Sequence, residues 1–187
     1  MKVDFLKRRK EMLESVERQF MGIDQAQIDE LVDAILQAPR IFVSGWGRAG
    51  NIVRILGMNM AHLNRTVFCV GDNSTPAITK EDLLIIFSQS GSTKTISVIC
   101  QKAREVGAKI ALISNYPDST MGKLADINVV IPPVQHDKDD PTKEPTHTFG
   151  LSTYQVGFIL NDYIEDCVMY RTGQTLDDIW TYHNTLE

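Results

Sequence analysis

Hydrophobic positions along the chain recur with two periods. Between residues 2 and 37 the spacing is helical, with Phe5, Met12, Val16 and Phe20 forming a sparse stripe. Ile28, Leu31, Val32, Ile35 and Leu36 form a denser one at i, i+3, i+4 and i+7. Asp24 is the expected N-cap of the second helix, and Pro39 ends it. A helix with so sparse a stripe buries little against its own core, so the first is expected to pack on a neighbouring chain.

From Arg40 the pattern changes to short continuous apolar runs: Arg40–Ser44, Thr66–Val70, Asp82–Phe87, Lys109–Ile113 and Ile127–Ile131. Helical stripes separate them over 51–63 and up to about Val106, with a short helix expected at 121–125. Strands apolar on every residue have both faces covered, which is the mark of a parallel sheet between helices. The expected fold is therefore α/β, a three-layer doubly wound sandwich around a five-stranded parallel sheet. Residues 132–148 are rich in proline and charge and read as a loop long enough to suspect a role. Apolar helices follow at 151–170 and 176–186. The whole chain, 1–187, reads as one domain: N-terminal helices over 2–37, a core over 40–131, the loop, and C-terminal helices over 151–187.

Composition narrows the function classes. Lys+Arg of 19 against Asp+Glu of 24 gives a net charge of -5, with no cationic surface for a nucleic-acid backbone. The basic run Lys7-Arg8-Arg9-Lys10 reads as the solvated face of a helix. Three scattered cysteines, Cys69, Cys100 and Cys167, suit reduced, buried thiols and neither a disulfide framework nor a zinc knuckle. The charged start lacks a secretory apolar stretch, and no apolar run nears the roughly 20 residues of a membrane span. A cytoplasmic protein with no membrane or nucleic-acid partner is expected.

In an open α/β sheet, ligands sit beyond the carboxyl ends of the strands, and two loops there carry chemistry. Gly45, Gly47 and Gly50 formally satisfy the dinucleotide spacing G-x-G-x-x-G. The acidic ribose ligand would be Asp72, a little too far along, and a lone match of this kind is weak. The other loop, Ser88-Gln89-Ser90-Gly91-Ser92-Thr93, gathers three serines and a threonine between an apolar strand and a helix start. One hydroxyl suffices for an N-cap. Four hydroxyls, a glycine and a positive helix end point to a bound anion, above all a phosphate.

A Ser-x-Ser-Gly-x-Thr loop after the third strand, with Gly-x-Gly after the first, resembles the SIS (sugar isomerase) domain. The likeness covers nearly the whole chain and is nearest to the 6-phospho-3-hexuloisomerases. It is carried by Gly45-x-Gly47-Arg48, Met60-x-His62-Leu63, Gly71 with Thr75-Pro76, Ser88-x-Ser90-Gly91 and the tail His183-Asn184-Thr185-Leu186-Glu187. The resemblance implies a sugar phosphate as ligand, with Ser88, Gln89, Ser90, Ser92 and Thr93 holding its phosphate; Gly45, Gly47 and Arg48 are the expected substrate loop, in which Arg48 suits either a contact to phosphate or sugar or a tie to backbone carbonyls. It implies aldose/ketose phosphate interconversion through a cis-enediol, with no metal or organic cofactor. It also implies a glutamate base near the start of the penultimate long helix and a histidine near the C-terminus.

The chain departs from that pattern. Where relatives read roughly Met-Gly-Ser-x-Phe-Glu-x-Thr, it has Phe149-Gly150-Leu151-Ser152-Thr153-Tyr154-Gln155-Val156, which places Tyr154 at the glutamate. Ala49 replaces the serine that usually follows Gly-x-Gly-Arg. The base then falls to His147, to Asp72 or to His183, whose imidazole titrates near neutrality; alternatively, the chain binds a phosphosugar without isomerising it. His62 reads as a structural histidine, His136 as a solvated one, and Met12, Met58 and Met60 as core or interface filler. Trp46 suits either a sugar or a subunit contact. A one-domain isomerase needs a neighbour to wall off its intermediate, so a homodimer or homotetramer with sites at subunit interfaces is expected.

Overall fold

In a computed structural model of the chain, described here for residues 4–133 and 151–183, the apolar runs pair into one all-parallel sheet. Its strands are β1 (Ile41–Ser44), β2 (Val67–Cys69), β3 (Leu83–Phe87), β4 (Lys109–Ser114) and β5 (Ile127–Val130), in the order β2-β1-β3-β4-β5. The helices are α1 (Phe5–Met21), α2 (Gln25–Gln37), α3 (Arg48–His62), α4 (Lys94–Val106), α5 (Leu151–Thr172) and α6 (Leu176–Tyr182). The expected doubly wound α/β sandwich is what forms.

Alternation along the strands sorts the apolar residues between two layers. Ile41, Val43, Leu83, Ile85, Phe87, Ala111 and Ile113 face α2, α3 and α5 in the larger core. Phe42, Leu84, Ile86, Ile110 and Leu112 face α4 in the smaller one. Each such fully buried side chain contributes about 1.5–3 kcal/mol through the apolar area removed from water. The dense stripe of α2 is buried at Ile28, Leu31, Val32 and Ile35, and the Asp24 carboxylate caps this helix by accepting from the Ala26 N–H at 3.0 Å.

Several expectations need correction. The segment 121–125 is a series of hydrogen-bonded turns, in which the Leu124 and Ala125 N–H groups both donate to the Met121 carbonyl. The Leu124 carbonyl is meanwhile taken by Arg104, and Met121 is buried against α4. α3 starts at Arg48, three residues before the apolar stripe, because the glycine turn itself enters the helix. On α1 only Val16 and Phe20 of the predicted stripe pack on the core, Phe20 edge-on to Tyr163, while Phe5, Leu6 and Leu13 stay exposed. All three cysteines are free; Cys100 is buried, whereas Cys69 and Cys167 are half-buried. The loop over 134–148, with His136 and His147, lies outside the described residues, as does the tail from Asn184 to Glu187.

At the amino end of the sheet, away from the loops of interest, Asp82 is 1% exposed and held from two sides. Arg40 donates to both carboxylate oxygens, at 2.9 and 2.6 Å, and Thr79 donates through its backbone N–H and its hydroxyl. Burial pushes the Asp82 carboxyl up, but the hydrogen bonds from Arg40 and Thr79 prevail and hold it below the usual carboxylate value.

Candidate functional site

The chain leaves β1 for β2 on one side and, through β3, for β4 and β5 on the other, so the crossover direction reverses between β1 and β3. At such a switch point the two loops diverge and leave a crevice. Ser44 pairs with Ile86, which brings the loop after β1 and the loop after β3 side by side.

The β1–α3 loop is shaped by glycine. A Cβ on Gly45 would stand 2.9 Å from the Gly50 nitrogen, and one on Gly50 would stand 2.8 Å from the Gly45 carbonyl oxygen, so the loop presses directly on the first helical turn. The glycine spacing thus serves this tight turn. Gly47 takes a positive φ of 60° at the helix start, with no side-chain cap, and Arg48 follows as the first residue of α3. A cleft of about 590 Å³ opens alongside, lined by Ser44, Gly45, Trp46, Arg54, Gly71 and Ile96 among others. Trp46 is 73% exposed at its edge.

The β3–α4 loop is tied down through its backbone. The Ser88 N–H donates to the Ile113 carbonyl, Gly91 to Ser88, Asn115 to Gln89 and Met121 to Gly91, all at 2.9–3.1 Å. Gly91 has φ of 61°, and a Cβ there would fall 1.9 Å from the Ser119 hydroxyl oxygen. With the backbone so occupied, the side chains remain available. Thr93 is the N-cap of α4 by position, yet its hydroxyl caps nothing. Neither the Ser88 nor the Thr93 hydroxyl has a hydrogen-bond partner among the described residues, and Ser90 Oγ only accepts, at 3.3 Å, from the Ser92 N–H. Ser88 is buried, Gln89 and Thr93 are half-buried, and Ser90 and Ser92 are exposed. Hydroxyl donors around the uncapped positive end of a 13-residue helix suit a doubly charged oxyanion.

The first turn of α5 closes the crevice. Tyr154 lies with its ring centroid 6.3 Å from that of Phe87, the residue before Ser88, and the Arg48 guanidinium lies 4.2 Å from the Tyr154 centroid. The neighbouring Thr153, buried, donates its hydroxyl to Asn115 Oδ1 at 3.2 Å and accepts from Gln19 Nε2 at 3.4 Å, while Asn115 Nδ2 donates to the Ile131 carbonyl. Asn115 therefore braces both the serine loop, through its backbone, and α5, through its side chain. Gly157 permits the approach of α5, since a Cβ there would meet Phe87 Cε2 at 2.7 Å. Asn115, Thr153 and Phe87 were not singled out by sequence. A polar Asn directly after an apolar strand, at the ligand end of the sheet, was the available signal.

The remaining candidates are spread out. Asp72, beyond β2, accepts at 2.8 Å from Arg54, which itself lines the cleft, in a half-exposed ion pair. His183 follows α6 and stacks 4.8 Å from His62, with Trp180 at 5.3 Å. His62 is the last residue of α3 and Arg48 the first, so the 15-residue helix sets His183 about 22 Å from the Arg48 end of the crevice in its own chain. His147 lies outside the described residues.

Known proteins resemble this chain along most of its length. The chain is 34% identical over 166 residues to the 3-hexulose-6-phosphate isomerase of Mycobacterium gastri, covering 88% of this chain and 82% of that one. It is 28% identical over 177 residues to the 3-hexulose-6-phosphate isomerase of Bacillus subtilis, covering 95% and 96%. A solved Methanococcus jannaschii structure, from which a molecular function of 3-hexulose-6-phosphate isomerase was inferred, superposes with a TM-score of 0.81 at 26% identity, over 95% of this chain and 99% of that one. The SIS domain profile matches residues 34–153, which span both loops and the start of α5. This chain belongs to the SIS domain family.

Proposed function

We propose that the protein is a phosphosugar isomerase that interconverts 3-hexulose 6-phosphate and fructose 6-phosphate, working as a single domain in the cytoplasm. The observation that carries this reading is the β3–α4 loop, whose hydroxyls surround an uncapped helix start at the switch point of the sheet. Relatives named as isomerases along most of this chain favour an enzyme over a binder without activity.

In the proposed reaction the phosphate rests on Ser88, Gln89, Ser90, Ser92 and Thr93, and the sugar extends over Gly45, Gly47 and Arg48. A base takes the proton from C2 of the 3-ketose. The electron pair forms the C2–C3 double bond as O3 takes up a proton, giving a cis-enediol, and a proton returned at C3 with loss of the O2 hydroxyl proton leaves the ketone at C2. Asp72 is engaged by Arg54, so the proton transfer is given to a histidine. His183 serves when α6 of one copy reaches the crevice of another, and His147 is the alternative from the preceding loop.

Isothermal calorimetry with fructose 6-phosphate tests the site. The wild type is expected to bind, and Ser90→Ala to weaken binding by about 1–3 kcal/mol through loss of a hydroxyl to a charged group. Unchanged affinity in that variant removes Ser90 from the site, and absence of binding by the wild type removes the reading.

The reliance on His183 from another copy requires assembly. Phe5, Leu6 and Leu13 on α1 and Leu176 and Trp180 on α6 are all 69% exposed or more, consistent with faces covered by a second copy. Sedimentation velocity is expected to give a dimer or tetramer; a monomer at working concentration contradicts the shared site.

A further inference from the structure

We infer that Arg48, held by the face of the Tyr154 ring, is the group that stabilises the negative charge developing on the sugar oxygens during proton transfer, and that Tyr154 is its positioning residue. This rests on the isomerase reading above and gives the site a charge-bearing group that the departure at Tyr154 would otherwise leave unspecified.

Four observations converge. Arg48 is the first residue of α3, where the helix dipole disfavours a cation, so a cation placed there is matched by an anion that is brought in. It is exposed, and among the described residues no carboxylate pairs with it, in contrast to Arg40, Arg54, Arg104 and Arg171. Its close partner among the described residues is the Tyr154 ring, 4.2 Å from the guanidinium carbon. The contact is made by the guanidinium carbon over the ring, and among the described residues no hydrogen bond takes up the Arg48 N–H donors, which can serve oxygen acceptors.

The ring is itself immobilised. Phe87 supports Tyr154 at 6.3 Å, and Thr153 anchors the same turn through Asn115 and Gln19. The proposed phosphate donors belong to the β3–α4 loop and Arg48 to the β1–α3 loop, so Arg48 is assigned to the reacting part of the sugar. When the C2 proton departs to the base, the electron pair moves into the C2–C3 bond and the carbonyl π pair moves onto the C3 oxygen. A guanidinium edge fixed in advance meets that oxyanion without reorganising.

Steady-state kinetics on 3-hexulose 6-phosphate, with inorganic phosphate as competitive inhibitor, tests this on the full-length protein. Arg48→Met is expected to lower kcat about hundredfold with KM within about threefold, the signature of a contact made in the transition state. Tyr154→Leu is expected to lower kcat about tenfold, Tyr154→Phe to restore it to within about threefold of wild type, and Tyr154→Leu to add nothing in the Arg48→Met background. The phosphate inhibition constant is expected to hold within about twofold throughout, and the urea midpoint of Arg48→Met, at an exposed position, to match wild type. Three results overturn the inference: wild-type kcat in Tyr154→Leu, a Tyr154→Phe defect as deep as that of Tyr154→Leu, or a phosphate constant that rises in step with the loss of kcat. An inactive wild type instead overturns the isomerase reading on which it rests.

Discussion

Replacing Gly91 by alanine is expected to abolish sugar-phosphate binding and to destabilise the fold by about 2–5 kcal/mol. The two parts of that figure have separate causes. The left-handed backbone at φ of 61° strains any residue with a Cβ by about 1–2 kcal/mol. The new methyl group would also fall 1.9 Å from the Ser119 hydroxyl oxygen and 2.6 Å from its Cβ, an overpacking of about 1–3 kcal/mol. Relief of that clash shifts the loop, and Ser88, Ser90 and Thr93 then lose their common focus at the start of α4. A second change, Ser119→Gly, removes the clash and leaves the backbone strain. Urea titrations of the single and double variants should therefore show partial recovery in the double. Equal midpoints for Gly91→Ala and wild type would mean the loop is not held as described.

Asp82→Ala is expected to cost about 1–3 kcal/mol with no effect on ligand affinity in the folded protein. The loss leaves Arg40 without its bidentate acceptor and the Thr79 N–H without its 2.6 Å partner, at the end of β3 opposite the crevice. The pH dependence separates this pair from simple packing. Because the folded-state carboxyl sits below its ordinary value, the unfolded chain takes up a proton first as pH falls. The pair's contribution is complete above the unfolded carboxylate pKa of about 3.9 and is lost as pH falls through the lower folded value. Wild-type and variant stabilities should accordingly differ most near neutrality and converge in acid. Parallel curves across that range would show that the ion pair is not the source.

These two expectations mark what could and could not be read from the chain itself. The strands were legible as short, mostly apolar runs, and parallel order follows from burial of β1, β3 and β4 on both faces. The serine loop was legible because all its hydroxyls fall within six residues, next to a strand end and a helix start. Local signals failed where glycine and tertiary contacts decide. The turn into α3 is glycine-rich and carries no apolar stripe, so its helical start at Arg48 was missed. Residues 121–125 have helical composition but give up their carbonyls to Arg104 and to turns.

The Arg48–Tyr154 stack joins the starts of α3 and α5, and no pattern of neighbours announces it. The brace from Gln19 through Thr153 to Asn115 likewise links α1, α5 and the end of β4. Resemblance placed Tyr154 at a carboxylate's position; only the fold shows a cation on its ring. It also shows that His183 ends beside His62, at the far end of α3 from Arg48.

The central claim is that the crevice between β1 and β3 isomerises a sugar phosphate. Incubating the protein with 3-hexulose 6-phosphate in deuterated water, followed by proton NMR, tests it most directly. The account predicts appearance of fructose 6-phosphate carrying deuterium at C3. Binding of the sugar phosphate with neither conversion nor exchange would contradict it.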